Sequence, residues 1–252
     1  MQKVLITGAG NGIGREIALA FARGGARVAG LDVDASALQA LCRDIPGFSS
    51  EPCDLSDAAA IEASVPRAIA ALGGLDVLVN NVGIAGPTAT VENYDPREWD
   101  QVLRVNLGAT FNVTRLAIPS LRNAGGGSII NMSSAAGRFG YPQRCAYSVS
   151  KWGIVGFTRT LSMELGEYGI RANAILPGPV AGPRMERVLA GRVASNGSSL
   201  EQERAGALRN QSLKYFTEAS EVAALAVFLA SDAARSISGQ SLPVDGDMHR
   251  SV

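Results

Sequence analysis

Three features of this sequence predict an α/β fold, with a mostly parallel sheet covered by helices on both faces. Short β-branched apolar runs alternate with longer segments of helical period along most of the chain, the pattern of βαβ units with right-handed crossovers. A glycine-rich turn joins the first apolar run to the first helical segment, as at a ligand-binding strand–helix junction. The chain has 252 residues and is 46% hydrophobic, enough for one large core in a single domain spanning 1–252.

Lys3–Thr7 is apolar on both faces and reads as a buried parallel strand, followed by a helix over Ile13–Arg23. Arg27–Asp32 is the second strand and Ala35–Arg43 the second helix. Phe48–Cys53 is a weaker strand, placed before a third helix at Ala58–Leu72. Leu75–Asn80 and Ser128–Met132 are strands flanking one long helix, Trp99–Ala124. Tyr147–Glu167 is the next helix and Ala172–Leu176 the next strand. Helix Glu218–Ser231 leads to a last strand, Gln240–Asp245, whose Pro243 cannot donate to a ladder and so belongs at the sheet edge. Seven strands connected this way make a doubly wound, Rossmann-type sheet. Pro177–Leu213 breaks the rhythm with Gly, Pro and two short helix-like pieces, where a substrate lid would sit. Gly178, Gly182, Gly191, Gly197 and Gly206 loosen it, and Asn196-Gly197-Ser198-Ser199 reads as a hinge or turn.

Composition excludes several function classes. Formal net charge is zero, with 23 basic and 23 acidic residues and no basic stripe, so nucleic acid and anionic membrane are not expected partners. No apolar run reaches the roughly 18 residues of a membrane span. Met1 leads almost at once into the first strand, so no secretory leader is expected. Three cysteines without paired spacing suit a reducing compartment, and the cytoplasm is the expected location. The single histidine, His249, cannot build a His-rich metal site, and no metal is expected.

The turn reads Thr7-Gly8-Ala9-Gly10-Asn11-Gly12-Ile13-Gly14. Its glycines let backbone approach a pyrophosphate, whose charge suits the free N–H groups of a helix N-terminus. The spacing departs from G-x-G-x-x-G, because Ile13 stands three after Gly10. Asp32 ends the second strand, where a carboxylate accepts from adenosine ribose hydroxyls and repels a 2′-phosphate. The positions best placed to supply a compensating cation are Asn11 and Val33, neither of them basic. NAD, rather than NADP, is the expected cofactor.

Tyr147 and Lys151 are four apart at a helix start and share a face. A free phenol has a pKa near ~10 and is no base at neutral pH; a nearby ammonium favours the phenolate and makes a general acid/base for alcohol or ketone chemistry. The pair alone is a common coincidence. Thirteen residues earlier, however, Ser133-Ser134 follows the strand Ser128–Met132, at the carboxyl edge where open α/β sheets bind ligands. A serine hydroxyl there could hold a substrate carbonyl beside the phenol.

Together these motifs, from Lys3 to Gly246, resemble the short-chain dehydrogenase/reductase family. Thr7, Gly8, Gly12 and Gly14 match its T-G-x-x-x-G-x-G turn, and Asp54-Leu55 is similar to its adenine-contacting pair. Asn80-Asn81-Val82-Gly83 resembles its N-N-A-G strand end, and Pro177-Gly178 its turn beneath the nicotinamide, continuing to Val180. The active-site set corresponds to Asn106, Ser134, Tyr147 and Lys151. The resemblance implies that Tyr147 exchanges a proton with the substrate oxygen, which Ser134 orients. It implies that Lys151 binds the nicotinamide ribose and that Asn106 supports a water linking Lys151 to solvent. Ser133 is the competing serine, but spacing to Tyr147 favours Ser134. It also implies a homotetramer built on the two long helices and the edge strand.

Two positions depart from the family pattern. Gly182 replaces the threonine that helps hold the carboxamide, and Asp247 replaces a second glycine after the last strand, a change expected to affect packing or an interface. The substrate is expected to be a small alcohol or ketone. Arg138 and Arg144 between the serine and tyrosine, and Arg184, Arg187, Arg192, Arg204 and Arg209 in the lid, leave open an anionic one. The competing reading of these arginines is solvation, or pairing with Glu186, Glu201 and Glu203. Cys145 reads as a small hydrophobe near the pocket. The alternative enzyme is an NADPH-dependent 3-oxoacyl-thioester reductase, which shares these motifs. A non-catalytic dinucleotide sensor is the alternative outside enzymes.

Overall fold

The computed structural model describes residues 1–250. Seven parallel strands form one sheet in the order β3-β2-β1-β4-β5-β6-β7. They are β1 (Lys3–Thr7), β2 (Arg27–Asp32), β3 (Ser49–Pro52), β4 (Val77–Asn80), β5 (Gly127–Met132), β6 (Ile170–Pro177) and β7 (Ser241–Val244). Strand order reverses between β1 and β4, which opens a crevice at the carboxyl ends of those strands. The register levels those ends: Thr7 pairs with Asn80, and Asn80 with Asn131.

Both sheet faces are buried, which is why the strands are apolar without alternation. Val4, Ile6, Val77, Val79 and Ile130 point to one face, against α1 (Gly12–Arg23), α2 (Ala35–Asp44) and α9 (Ala219–Ala230). Leu5, Leu78 and Ile129 point to the other, against α3 (Ala58–Leu72), α5 (Ala109–Asn123) and α6 (Cys145–Leu165). Aspartates start three helices: Asp34 caps α2, Asp57 caps α3, and Asp95 caps α4 (Pro96–Leu103), each accepting a first-turn N–H. Two further helices, α7 (Pro183–Asn196) and α8 (Leu200–Arg209), are inserted between β6 and α9.

The architecture expected from sequence is the one observed, with differences at element ends. The expected helix Trp99–Ala124 is three pieces: α4, a π-turn over Arg104–Gly108, and α5. The sequence signal starts late because Asp95-Pro96, a capping residue followed by the N1 proline, begins the helix before its apolar stripe. Helix α6 begins two residues before Tyr147 and ends at Leu165, where a 3₁₀ turn takes over. Strand β4 starts at Val77, although the Asp76 backbone already bonds to Lys3 and Ser128 on the neighbouring strands and its side chain accepts the Lys3 N–H. Strand β7 pairs only with β6, so Pro243 does lie on an edge strand.

Candidate active site

A cavity of about 830 Å³ runs across the carboxyl ends of the strands. Asp32, Val33, Asp54 and Leu55 line the end above β2 and β3. Gly8, Asn11, Gly12 and Ile13 line the middle, with Asn81, Val82 and Gly83 facing them. Ser134, Tyr141, Tyr147 and Lys151 line the other end, closed by Pro177, Gly178, Val180 and side chains of α7. Two residues of the expected set, Gly14 and Asn106, stand behind the wall rather than in it.

The glycine turn is held by the strand ends beside it. Thr7 Oγ1 accepts from the N–H groups of Asn81 and Val82, at 3.0 and 3.2 Å. Asn81 Nδ2 donates to the carbonyls of Thr7 and Gly8. A Cβ on Gly14 would stand 2.0 Å from the Gly8 carbonyl oxygen, so Gly14 is where helix α1 packs on the turn. Gly8 and Gly12 have φ of +64° and +54°, which favour glycine. Asn11 makes no side-chain cap on α1. The first-turn N–H groups therefore keep their donors for a ligand in the cavity.

At the far end, Asp32 accepts from Gly10 N–H at 2.8 Å and from Asp34 N–H at 3.0 Å, one bond to each oxygen. Each oxygen retains a second lone pair. Asp34 adds a second carboxylate, held below the usual range by the Ser36 hydroxyl and the Ala37 N–H. Asn11 Nδ2 approaches it at 3.4 Å. Asp54 is likewise held low by hydrogen bonds from Ser56.

At the opposite end, Lys151 Nζ lies 5.6 Å from the Tyr147 ring centroid and donates to the Met132 carbonyl at 2.8 Å. Burial, and secondarily the Arg184 guanidinium, push the Lys151 ammonium down to about 7. The two neighbouring serines differ. Both line the cavity, but Ser133 is buried and donates to the Lys151 carbonyl at 2.8 Å, whereas Ser134 is half-buried and accepts from the Ala136 N–H. Cys145 is absent from the lining.

Asn106 sits in the π-turn and clamps the loop after β4. Its Oδ1 accepts from Ile84 N–H at 2.8 Å while its Nδ2 donates to the Ile84 carbonyl at 3.0 Å. The same Nδ2 donates to Ser150 Oγ, which in turn donates to the Tyr147 carbonyl. A π-turn inside a helix commonly marks a functional position. Sequence reasoning missed a second layer beneath the site. Asn80 Nδ2 donates to Thr114 Oγ1 and Asn131 Oδ1, and Asn131 Nδ2 donates to Thr158 Oγ1, all buried. The available signal was an asparagine at or next to the end of the two neighbouring strands β4 and β5.

Beyond β6, Gly178 is required by contact, since a Cβ there would stand 2.8 Å from Asp245 Cα. Thr217 ties the base of the insertion, donating its N–H to Pro179 and accepting from Ala181 N–H. At its exit, Ser212 and Leu213 N–H groups donate to the Asp247 and Gly246 carbonyls. Gly182 precedes α7 with φ +125° and ψ −179°, a conformation that is essentially glycine's own. The threonine of the family pattern is thus incompatible with this backbone as well as absent. Asp247 has φ +59°, which explains why glycine suits that position. Two of the lid arginines are paired: Arg204 with Glu186 at the surface, and Arg192, mostly buried at the cavity wall, with Glu203 at 3.9 Å. Among the described residues no helix is long and apolar enough to cross a membrane, and no three His, Cys, Asp or Glu side chains gather as a metal site.

A family model described as enoyl-(acyl carrier protein) reductase matches residues 8–249. Among curated proteins, a D-beta-hydroxybutyrate dehydrogenase of Cupriavidus necator is 38% identical, covering 97% of this chain and 96% of that one. A 3-oxoacyl-(acyl-carrier-protein) reductase of Thermotoga maritima is 35% identical over 97% and 96% of the two chains. Among solved structures, levodione reductase superposes with a TM-score of 0.91 at 32% identity, covering 97% of this chain and 96% of that chain. An actinorhodin polyketide ketoreductase variant with NADPH gives 0.92 at 30% identity, with the same coverage. With matches that span nearly the whole chain and a cavity built from the same motifs, this protein belongs to the short-chain dehydrogenase/reductase family of oxidoreductases.

Proposed function

We propose that this enzyme moves a hydride between NAD and a secondary alcohol or its ketone, with Tyr147 as general acid/base. The observation that carries the reading is the convergence of Tyr147, Lys151 and Ser134 on one end of the cavity. Nicotinamide, when bound, supplies the hydride acceptor or donor. The chain's own residues then position and move a proton. The Tyr147 oxygen takes the alcohol proton in oxidation and returns it in reduction. The Lys151 ammonium favours the phenolate, and the half-buried Ser134 hydroxyl orients the substrate oxygen. Ser133 is occupied by the Lys151 carbonyl and serves α6 packing instead.

The cavity fits a dinucleotide. Its middle offers the uncapped N–H groups of α1 to phosphates, and its far end offers the carboxylate of Asp32 to ribose hydroxyls. Asp32 lines that end and Asp34 stands beside it, with Asn11 and exposed Val33 nearby and no cation among the described lining residues there, so a 2′-phosphate would meet carboxylates rather than a positive charge. This favours NAD. The thioester reductase reading draws on the ketoreductase and 3-oxoacyl reductase among the relatives, and it requires NADPH. Fluorescence titration of the protein with NADH and NADPH separates the two, followed by a screen of secondary alcohols for NAD reduction. Tighter binding of NADPH would replace the first reading by the second.

Two further features belong to this reading. Residues 177–213 act as a lid that orders over cofactor and substrate, excluding water. Phe111 on α5 and Val149, Trp152 and Met163 on α6 are exposed, which supports a homotetramer built on those helices. The unpaired cysteines suit a cytoplasmic location.

A further inference from the structure

The cavity's charges are segregated. Its acidic lining residues are Asp32 and Asp54, both at the adenosine end. The end that holds Tyr147 is lined by Lys151, Arg144, Arg184, Arg187 and Arg192, with no carboxylate among the described lining residues.

Arg144 is the informative member. Only 7% of it is exposed, yet it lines the cavity three residues before Tyr147. Its hydrogen bonds run from Nη1 to the carbonyls of Gly86 and Ala85, at 3.0 and 3.4 Å. No carboxylate within 4 Å pairs with it among the described residues, and its charged or titratable neighbours are Tyr94, Tyr141, Tyr147 and Arg192. Burial and the Arg192 charge both disfavour its ionised form. A guanidinium keeps its proton regardless, so this site carries a buried charge without a counter-ion, a costly arrangement unless a ligand supplies one. Across the cavity, Arg192 Nη2 donates to Tyr141 Oη at 3.0 Å, and the Tyr141 ring stands 6.4 Å from that of Tyr147. Two arginines and two tyrosines thus surround the place next to the phenol.

We propose that the substrate is a short hydroxy acid, whose carboxylate is received by Arg144, assisted by Arg192, while its carbinol carbon faces Tyr147. This rests on the assignment of Tyr147 above. In the oxidative direction the carbinol C–H bond breaks and its electron pair goes, as hydride, to NAD. The O–H proton passes to the Tyr147 oxygen, and the products are a keto acid and NADH. Arg144 is the N-cap residue of α6, three positions before Tyr147, and it interacts electrostatically with that phenol, so the two ends of the ligand are close. That limits the acid to a few carbons between carboxylate and carbinol. A guanidinium receives a carboxylate through two parallel N–H bonds, and Arg144 Nη2 and Nε are the edge left for them.

The test is calorimetric titration of the NADH-saturated enzyme with 2-, 3- and 4-hydroxy acids of four or five carbons, which cannot react with the reduced cofactor, each paired with its amide. At least one acid should bind tenfold or more tightly than its amide. Arg144→Met should abolish that difference without changing NADH affinity, which also reports that the variant is folded. Should Arg144→Met fail to fold, Arg192→Gln from the opposite wall should still reduce the preference severalfold. Equal binding of acid and amide, no binding of any acid, or a preference untouched by either substitution would overturn the proposal. If the wild type did not bind NADH at all, the cofactor reading would fall first and this inference with it.

Discussion

Lys151 follows Tyr147 by one turn of α6, and its ammonium is buried, 5.6 Å from the phenol ring centroid and 2.8 Å from the Met132 carbonyl. A charge in that position is useful to a phenolate and unfavourable for the fold. Burial first, and Arg184 second, bring the lysine from 10.5 to about 7. Between those values the unfolded chain holds a proton the folded one lacks, so this group makes stability rise with pH across that window. Below about 7 its penalty is complete. Lys151→Met should therefore stabilise the free protein at pH 6 by roughly 1–3 kcal/mol, with the gap narrowing toward pH 10.5, while turnover is lost and NADH binds more weakly. Thermal melts across pH check this; a variant less stable than wild type at pH 6 would show that the Met132 contact outweighs desolvation.

Cofactor choice rests on Asp32. Asp32→Ala should weaken NAD by one to two decades, the value of about 1.5–3 kcal/mol for a charged hydrogen bond. Adding Val33→Arg should move preference toward NADP. The kcat/KM ratio for NAD over NADP reads this directly, and a wild-type ratio below one would contradict the assignment before any variant is made. Because Asp32 also accepts from Gly10 and Asp34 N–H groups, Asp32→Ala should in addition lower stability. Asp32→Asn separates that bracing from the charge.

Asn106 is a positioning residue in this account. Its amide holds both backbone groups of Ile84 and reaches Tyr147 through Ser150. Asn106→Ala should cost about 1–3 kcal/mol of stability, from the unpaired buried backbone groups. It should also raise KM for cofactor as the loop of Gly83 loosens. A change in kcat with KM and melting temperature unmoved would instead favour a direct part in proton relay.

Much of this was legible in the sequence because βαβ folds repeat two local signals. Runs such as Lys3–Thr7 are apolar on both faces since both sheet faces are covered, and glycines such as Gly14 appear where backbones meet. The joint in the long helix was not legible. Arg104–Gly108 keeps helical composition, and a π-turn changes hydrogen-bond partners rather than apolar period. Nor could spacing tell that Asn106 faces a backbone loop, or that Arg144 is buried while Arg204 is paired with Glu186 at the surface. Those depend on contacts between residues far apart in the chain. Ser134 is the more exposed of the two serines, because consecutive residues leaving a strand point to opposite sides.

Gly182 offers a test of backbone against side chain. If only the missing threonine mattered, Gly182→Thr would tighten NADH binding. With φ at +125° the substitution should instead cost about 1–3 kcal/mol and loosen the entry to α7. Hydrogen exchange over 183–213 reads the result: faster exchange agrees with strain, and slower exchange with weaker strain than the backbone implies. In the wild type the same segment should become protected when NADH and a non-reacting hydroxy acid bind, while β1 and β4 barely respond.

The central claim is that the Tyr147 oxygen carries the proton of the reaction. The most direct measurement is kcat of Tyr147→Phe, using the best alcohol or hydroxy acid found for the wild type, with NADH affinity as the control for an intact site. The ring is preserved and only the hydroxyl is removed. The account predicts a fall of at least about 10²–10⁴-fold, the usual contribution of a positioned acid/base, with the NADH dissociation constant within twofold of wild type. Turnover close to the wild-type rate would contradict it.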